Sequence, residues 1–228
     1  MERYVLEADK YIIEDAFGVS SDSEAMYQPN YNVMPGHTMP IILQEGDNRN
    51  LVKSIWGLKP KSQDEELVEI PQEDVLEDDL LAGFVKSGPC IIPASGFYKW
   101  KETVKDPLPF YLRVLTNEVA GFAGIYTEYE DDEGKPIHAF AVLTMKANAL
   151  VEPLDDRMPV ILQEKEYDVW LNGDGEKLLK KGFSGDMLLP EMSVFRVPEL
   201  VNDPSNNSKE LIQPIPKLRN YDGAEEDE

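Results

Sequence analysis

The chain reads as one α+β domain, mainly antiparallel sheet with a few short helices. Three observations carry that reading. Apolar residues alternate at a period of two in many short runs, Gly, Pro, Asn and Asp clusters part those runs, and only a few segments show a helical period. No internal repeat or linker divides the 228 residues, and 42% hydrophobic content can fill a sizeable core. The domain is expected over 1-217, followed by an acidic, disordered tail at 218-228 that ends Ala224-Glu225-Glu226-Asp227-Glu228.

Arg3 to Glu7 reads as a strand, followed by a helix in which Tyr11, Ile12, Ala16 and Phe17 share a face and Gly18 offers a stop. Val19 to Pro29 is a polar Ser/Asp loop. Tyr31 to Gly36 is extended, and strands at Met39 to Gln44 and Leu51 to Leu58 form a hairpin around a Gly-Asp-Asn turn. Lys59 to Asp79 is charged and irregular, with Pro60 and Pro71 opposing continuous helix, before a helical patch from Asp79 to Val85. Cys90 to Ile92 is a buried β-run broken by Pro93. After the Ser95-Gly96 turn an alternating strand gathers Phe97, Tyr98 and Trp100 around Lys99, so a hairpin is expected. Phe110 to Leu115, Val119 to Tyr129 and Ile137 to Met145 read as an antiparallel meander, with Glu133-Gly134-Lys135-Pro136 as its last turn. Glu164 to Asn172 and Glu176 to Lys181 look helical, and Ser193 to Val197 is a final strand.

Composition narrows the function. A formal net charge of −22, with an isoelectric point of about 4.4, gives a field that repels phosphate backbones, so nucleic acid is a poor default partner. One cysteine, Cys90, excludes an internal disulfide and reads as a buried structural thiol. Two histidines, His37 and His138, lie at strand edges and supply no metal cluster, so neither metal nor cofactor is expected. They also exclude a Ser-His or Cys-His hydrolytic pair with an orienting acid. The N-terminus lacks a signal pattern and no apolar run approaches a bilayer span, which points to a cytoplasmic, non-membrane protein, expected to be monomeric.

Several motifs, in order, carry a resemblance. They are Arg3-Tyr4, Tyr31-Asn32-Val33-Met34-Pro35, Trp56-Gly57-Leu58-Lys59-Pro60, Gly96-Phe97-Tyr98-Lys99-Trp100, Leu143 to Asn148, Asp155-Asp156-Arg157-Met158-Pro159, and Val201-Asn202 with Asn207. Together they resemble the SOS response-associated peptidase (SRAP) family of abasic-site processing proteins. The resemblance implies a barrel-like α+β domain with a groove for single-stranded DNA. It also implies a suicidal chemistry, in which the amine and thiol of a cysteine freed by removal of Met1 close a thiazolidine on the sugar aldehyde. A Glu in Gly-Phe-x-Glu-Trp and a His in His-Asp-Arg-Met-Pro move the protons.

This sequence departs from that pattern at three places: Glu2 stands for the cysteine, Lys99 for the Glu and Asp155 for the His. No catalytic set is intact, and the chain reads as a pseudoenzyme that keeps a binding or scaffolding role toward single-stranded DNA or a protein partner. Lys99 and Asp155 are expected to pair as a salt bridge. The alternative is an active binder in which the Met1 amine, or Lys99 desolvated beside Trp100 and Tyr98, forms a Schiff base, although Asp155 would favour the ammonium. Groove candidates are Arg3, Asn32, Pro35, Trp56, Glu69, Glu73, Trp100, Thr144, Arg157, Met158 and Pro159. Arg157 is expected to pair with Asp156 or with backbone carbonyls.

Overall fold

The computed structural model describes residues 3–20, 27–59, 66–115, 117–130, 136–183 and 191–216. It begins with strand β1 (Tyr4–Leu6) and helix α1 (Lys10–Phe17), which buries Ile13 and Phe17 and ends at Gly18 in the left-handed region (φ 61°). A short β2 (Val19–Ser20) runs parallel to the later strand at Arg49 and Asn50. The middle of the expected Ser/Asp loop, 21–26, lies outside the described residues, as do Glu2, the turn at 131–135 and the acidic tail.

Strands β3 (Asn30–Val33), β4 (Thr38–Glu45) and β5 (Asn48–Trp56) follow, the last two forming the expected hairpin from Thr38↔Ile55 to Glu45↔Asn48. The stretch read as irregular holds β6 (Glu69–Pro71) and helix α2 (Gln72–Glu77). Pro71 does not oppose this helix because it stands just before the first turn, where a missing N–H costs nothing. Helix α3 (Asp79–Ser87) starts at Asp78, whose carboxylate accepts from Leu80 N and Leu81 N.

Strand β7 (Pro89–Ala94) runs through Pro93, and β8 (Gly96–Lys101) follows after one residue. These two do not form the expected hairpin. β7 pairs with β4 and with a later strand, whereas β8 pairs with β1, placing Tyr4 against Phe97. Ser95 is the pivot between sheets: its N–H donates to Val5 O at 2.7 Å and its hydroxyl accepts from Glu7 N at 3.0 Å. The expected meander divides in the same way. β9 (Leu108–Val114) pairs with β8, while β10 (Ala120–Glu130) and β11 (Pro136–Lys146) form a hairpin in the other sheet. A seven-residue alternation specifies a strand but not its neighbour, so sequence adjacency misassigns β9.

The short strands β12 (Arg157–Pro159) and β13 (Ile161–Leu162) lead to α4 (Tyr167–Val169) and α5 (Gly175–Lys181), separated by a kink at Gly173 (φ 78°). The last strand, β14 (Met192–Arg196), pairs with β9.

Two sheets result. One has the order β14-β9-β8-β1-β3. In the other, β10, β7, β4 and β5 are joined in turn, and β5 returns parallel to β11 through Ala139↔Ile55 and Phe140↔Trp56. With the β10–β11 pairing this closes a five-stranded barrel. The five-stranded sheet is buried on both faces. Tyr4, Leu6, Phe97 and Leu112 enter the main core, and the alternating Val5, Tyr98 and Tyr111 pack under Val197, Val201 and Leu211 of the C-terminal strap. Among the described residues no helix is long and apolar enough to cross a membrane.

Candidate functional site

A cleft of about 520 Å³ opens where the end of β8, the start of β1, the turn before β12 and the C-terminal strap meet. Arg3, Glu69, Tyr98, Lys99, Trp100, Glu102, Pro107, Asp155, Asp156, Arg157 and Asn202 line it. Lys99 shares the inward face of β8 with Phe97 and is only 3% exposed. Burying an ammonium requires a partner, and Lys99 Nζ lies 2.7 Å from Asp155 Oδ2, the pairing expected from the sequence.

Asp155 is held by the local backbone. Its Oδ1 accepts from Arg157 N at 2.8 Å, the hydrogen-bonded turn that Asp favours, and its own N–H donates to Val151 O at 3.2 Å. Burial pushes its carboxyl upward, but the hydrogen bond and charge of Lys99 and the Arg157 N–H outweigh burial and hold it below its ordinary 3.8. Burial likewise raises Glu73, and Arg157 reverses the sign, leaving that carboxyl lowered.

Arg157 reaches away from Asp156. Its guanidinium donates to Thr144 O at 2.7 Å and to Glu73 Oε2 at 2.9 Å, with weaker bonds to Thr144 Oγ1. The expected carbonyl partner is present, and the carboxylate partner is Glu73 in place of Asp156. Arg3 ties the start of β1 to the strap through Val201 O and Asn202 O (3.4 Å) and to Asn32 Oδ1 of β3 (3.2 Å), and stands 5.3 Å over the Trp100 ring. Trp100 Nε1 donates to Asn202 Oδ1 at 2.8 Å.

The structure thus brings Arg3, Glu69, Lys99, Trp100, Asp155 and Arg157 into one cleft. The other groove candidates sit elsewhere. Asn32 is buried behind Arg3, donating to Val201 O, Asp203 O and Asn206 O. Thr144 and Glu73 anchor Arg157, while Met158 and Pro159 are buried in β12. Pro35 is exposed in a turn, and Trp56 is buried in the barrel, stacked 6.2 Å from Phe140 with Nε1 on Val68 O. The position of Glu2 lies outside the described residues. Sequence reasoning missed Glu102 and Pro107 as cleft walls. Cys90 is fully buried in β7, and burial pushes its thiol well up, so it is an inert core group. Among the described residues no cluster of three or more His, Cys, Asp or Glu is placed to hold a metal.

The fold and cleft define a small closed-barrel protein with a polar groove at the mouth between two sheets. The family described as SOS response associated peptidase (SRAP) matches residues 2–204, and the chain belongs to it. Among curated relatives, it is 34% identical over 200 residues to "Abasic site processing protein YoqW" of Bacillus subtilis, covering 83% of this chain and 88% of that one. It is 33% identical over 196 residues to YoaM of the same organism (82% and 85% covered), also named an abasic site processing protein. An X-ray structure of a protein from Bacteroides thetaiotaomicron superposes with a TM-score of 0.77 at 22% identity, covering 94% of this chain and all of that one, which shows the shared fold.

Proposed function

We propose that this SRAP-family chain does not capture abasic sites covalently and acts through non-covalent binding in its cleft. The observation that carries this reading is the closed ion pair between Lys99 and Asp155. By resemblance these positions hold a Glu and a His, groups that exchange protons near neutral pH. Here an ammonium and a carboxylate neutralise each other at 2.7 Å. A carboxyl lowered by its partner stays ionised at neutrality and is a poor proton donor there. An ammonium held by that carboxylate has no lone pair to offer an aldehyde, which counts against Lys99 as a Schiff-base amine. Glu2, where the family resemblance places the cysteine, removes the thiol that would close the ring. Among the described residues the cleft cations Arg3, Lys99 and Arg157 already have protein partners, which weakens phosphate binding further.

The test is incubation of the protein with single-stranded DNA carrying one abasic site, followed by a denaturing gel with and without borohydride. No shifted band is expected in either lane. A heat-stable adduct without reductant would overturn the reading. A band seen only after borohydride, and lost on N-terminal acetylation or in Lys99→Ala, would establish the imine alternative in its place. Binding of intact single-stranded DNA is expected to be weak, with a shallow dependence on salt.

A further inference from the structure

We propose that a second cavity, beside α1, is a binding site for a linear aliphatic polyamine. The cavity, about 350 Å³, lies between α1, the residues that lead into β10 and those that lead into α4. It shares no lining residue with the Lys99 cleft, so the fate of one site does not decide the other. Two independent observations carry the assignment. The first is Tyr167, which lines the cavity although the residue is only 4% exposed. Its ring packs against Phe17 at 5.2 Å and under the Arg49 guanidinium at 5.9 Å, but among the described residues no hydrogen bond reaches its hydroxyl. The hydroxyls of Tyr4 and Tyr111 are sealed in the core; that of Tyr167 is not, and the trace of surface the residue keeps opens on this cavity. Burial, and after it the charge of Glu164, push the hydroxyl up to about 12, so it stays neutral and its oxygen can accept an N–H. A buried polar group without a protein partner calls for one from outside the chain.

The second observation is how the charge is distributed. Asp15, Glu118 and Glu164 come from three different segments, and no cation lies among the described lining residues. The basic residues nearest in sequence or packed on Tyr167 are engaged or turned out: Lys10 pairs with Glu14, Arg49 with Asp168, and Lys165 is exposed and outside the wall. The three carboxylates do not converge, since among the described residues no three acidic side chains are placed to share a metal ion. A single inorganic cation is therefore poorly served, whereas ammonium groups spaced along one chain meet the carboxylates separately. Between them lie Ile12, Ala16, Val119 and the Tyr167 ring, an apolar floor that suits the methylenes joining such ammonium groups. The volume falls at the small end of ligand pockets, roughly 300–1,000 Å³.

The test is calorimetric titration of spermidine into the full chain at about 0.15 M sodium chloride, where diffuse attraction is largely screened. One saturable site is expected. Glu118→Gln/Glu164→Gln should weaken it about tenfold, the worth of two exposed ion pairs, and Tyr167→Phe, which removes only the hydroxyl, about fivefold. The control Glu77→Gln/Asp79→Asn, which takes two exposed charges from α2 and α3, should change it by less than about twofold. An equal loss in the control, or displacement of spermidine by magnesium ion at matched charge, would reduce the effect to the bulk charge of −22 and overturn the proposal. Equal affinity for butylamine, one ammonium on a similar apolar chain, would show that a lone cation suffices and would overturn it as well. So would unchanged binding in Tyr167→Phe, or a titration with no saturable site. An adduct with abasic DNA bears on the Lys99 cleft alone.

Discussion

At the scale of single residues, the Lys99–Asp155 pair is asymmetric, and the asymmetry is measurable. The Lys99 side chain is 4% exposed and that of Asp155 is 36% exposed. Removing Asp155 strands a charge that water barely reaches, whereas removing Lys99 leaves a carboxylate that water and the Arg157 N–H still solvate. Asp155→Ala is therefore expected to cost about 2–3 kcal/mol, short of the ~3–5 kcal/mol of a fully buried broken pair because one side is wet. Lys99→Met, which keeps the stem volume, should cost about 1 kcal/mol or less. Urea unfolding of both variants checks the order; equal costs would mean that burial of Lys99 is not what the pair solves. The pH dependence follows with a definite sign. The folded carboxyl of Asp155 is lowered from 3.8, so its contribution is fully present above that ordinary value and fades as pH falls through the lower folded value. The stability difference between the native chain and Asp155→Ala should accordingly be flat from neutrality to about pH 5 and shrink below about pH 4. Taking the difference cancels the titration of the groups that do not interact with Asp155.

Elements are legible in proportion to how much of their specification is local. α3 can be read almost residue for residue because its period, its apolar face and the Asp78 cap lie within one stretch. Asp78→Ala removes the acceptor for two backbone N–H groups and should lower stability by about 1 kcal/mol, read as a shift in the urea midpoint with unchanged slope. The hairpin of β4 and β5 is equally local. Pairing across the chain is not. The switch of sheet at Ser95 depends on hydrogen bonds to Val5 and Glu7, far back in the sequence, which no turn signal at Ser95-Gly96 encodes. The site shows the same division. Lys99 and Asp155 can be paired from sequence because the family motifs place both, but the Glu73 partner of Arg157 arises from the position of α2, which two prolines hide. The glycines of β10 also become intelligible only in the barrel. A Cβ at Gly124 would stand 2.3 Å from Ile92 Cδ1 and 2.9 Å from Ala141 O, because neighbouring strands close in on both sides. Gly124→Ala should then destabilise by about 1–3 kcal/mol despite the better strand propensity of Ala, a sign that overpacking decides.

At the scale of the whole molecule, excess charge opposes folding while local ion pairs support it, and magnitudes decide which salt reveals. Spread over a surface of 12843 Å², an excess of 22 negative charges leaves about 24 Å between neighbours, an estimate set against the Debye lengths of ~30 Å at 0.01 M and ~8 Å at 0.15 M salt. Repulsion is thus felt at the lower concentration and is largely screened at the higher one. The pairs Lys177–Asp174, Lys180–Glu176 and Arg196–Glu199 are exposed and add little, and the same salt weakens them. Lys99–Asp155 is shielded by its burial and is nearly indifferent to salt. Self-repulsion outweighs the exposed pairs, since it acts over the entire surface. The melting temperature should rise by several degrees between about 0.01 and 0.15 M sodium chloride and then level off, as scanning calorimetry would record. A fall over that interval would mean that the surface pairs outweigh the net charge, and the acidity would then be locally compensated.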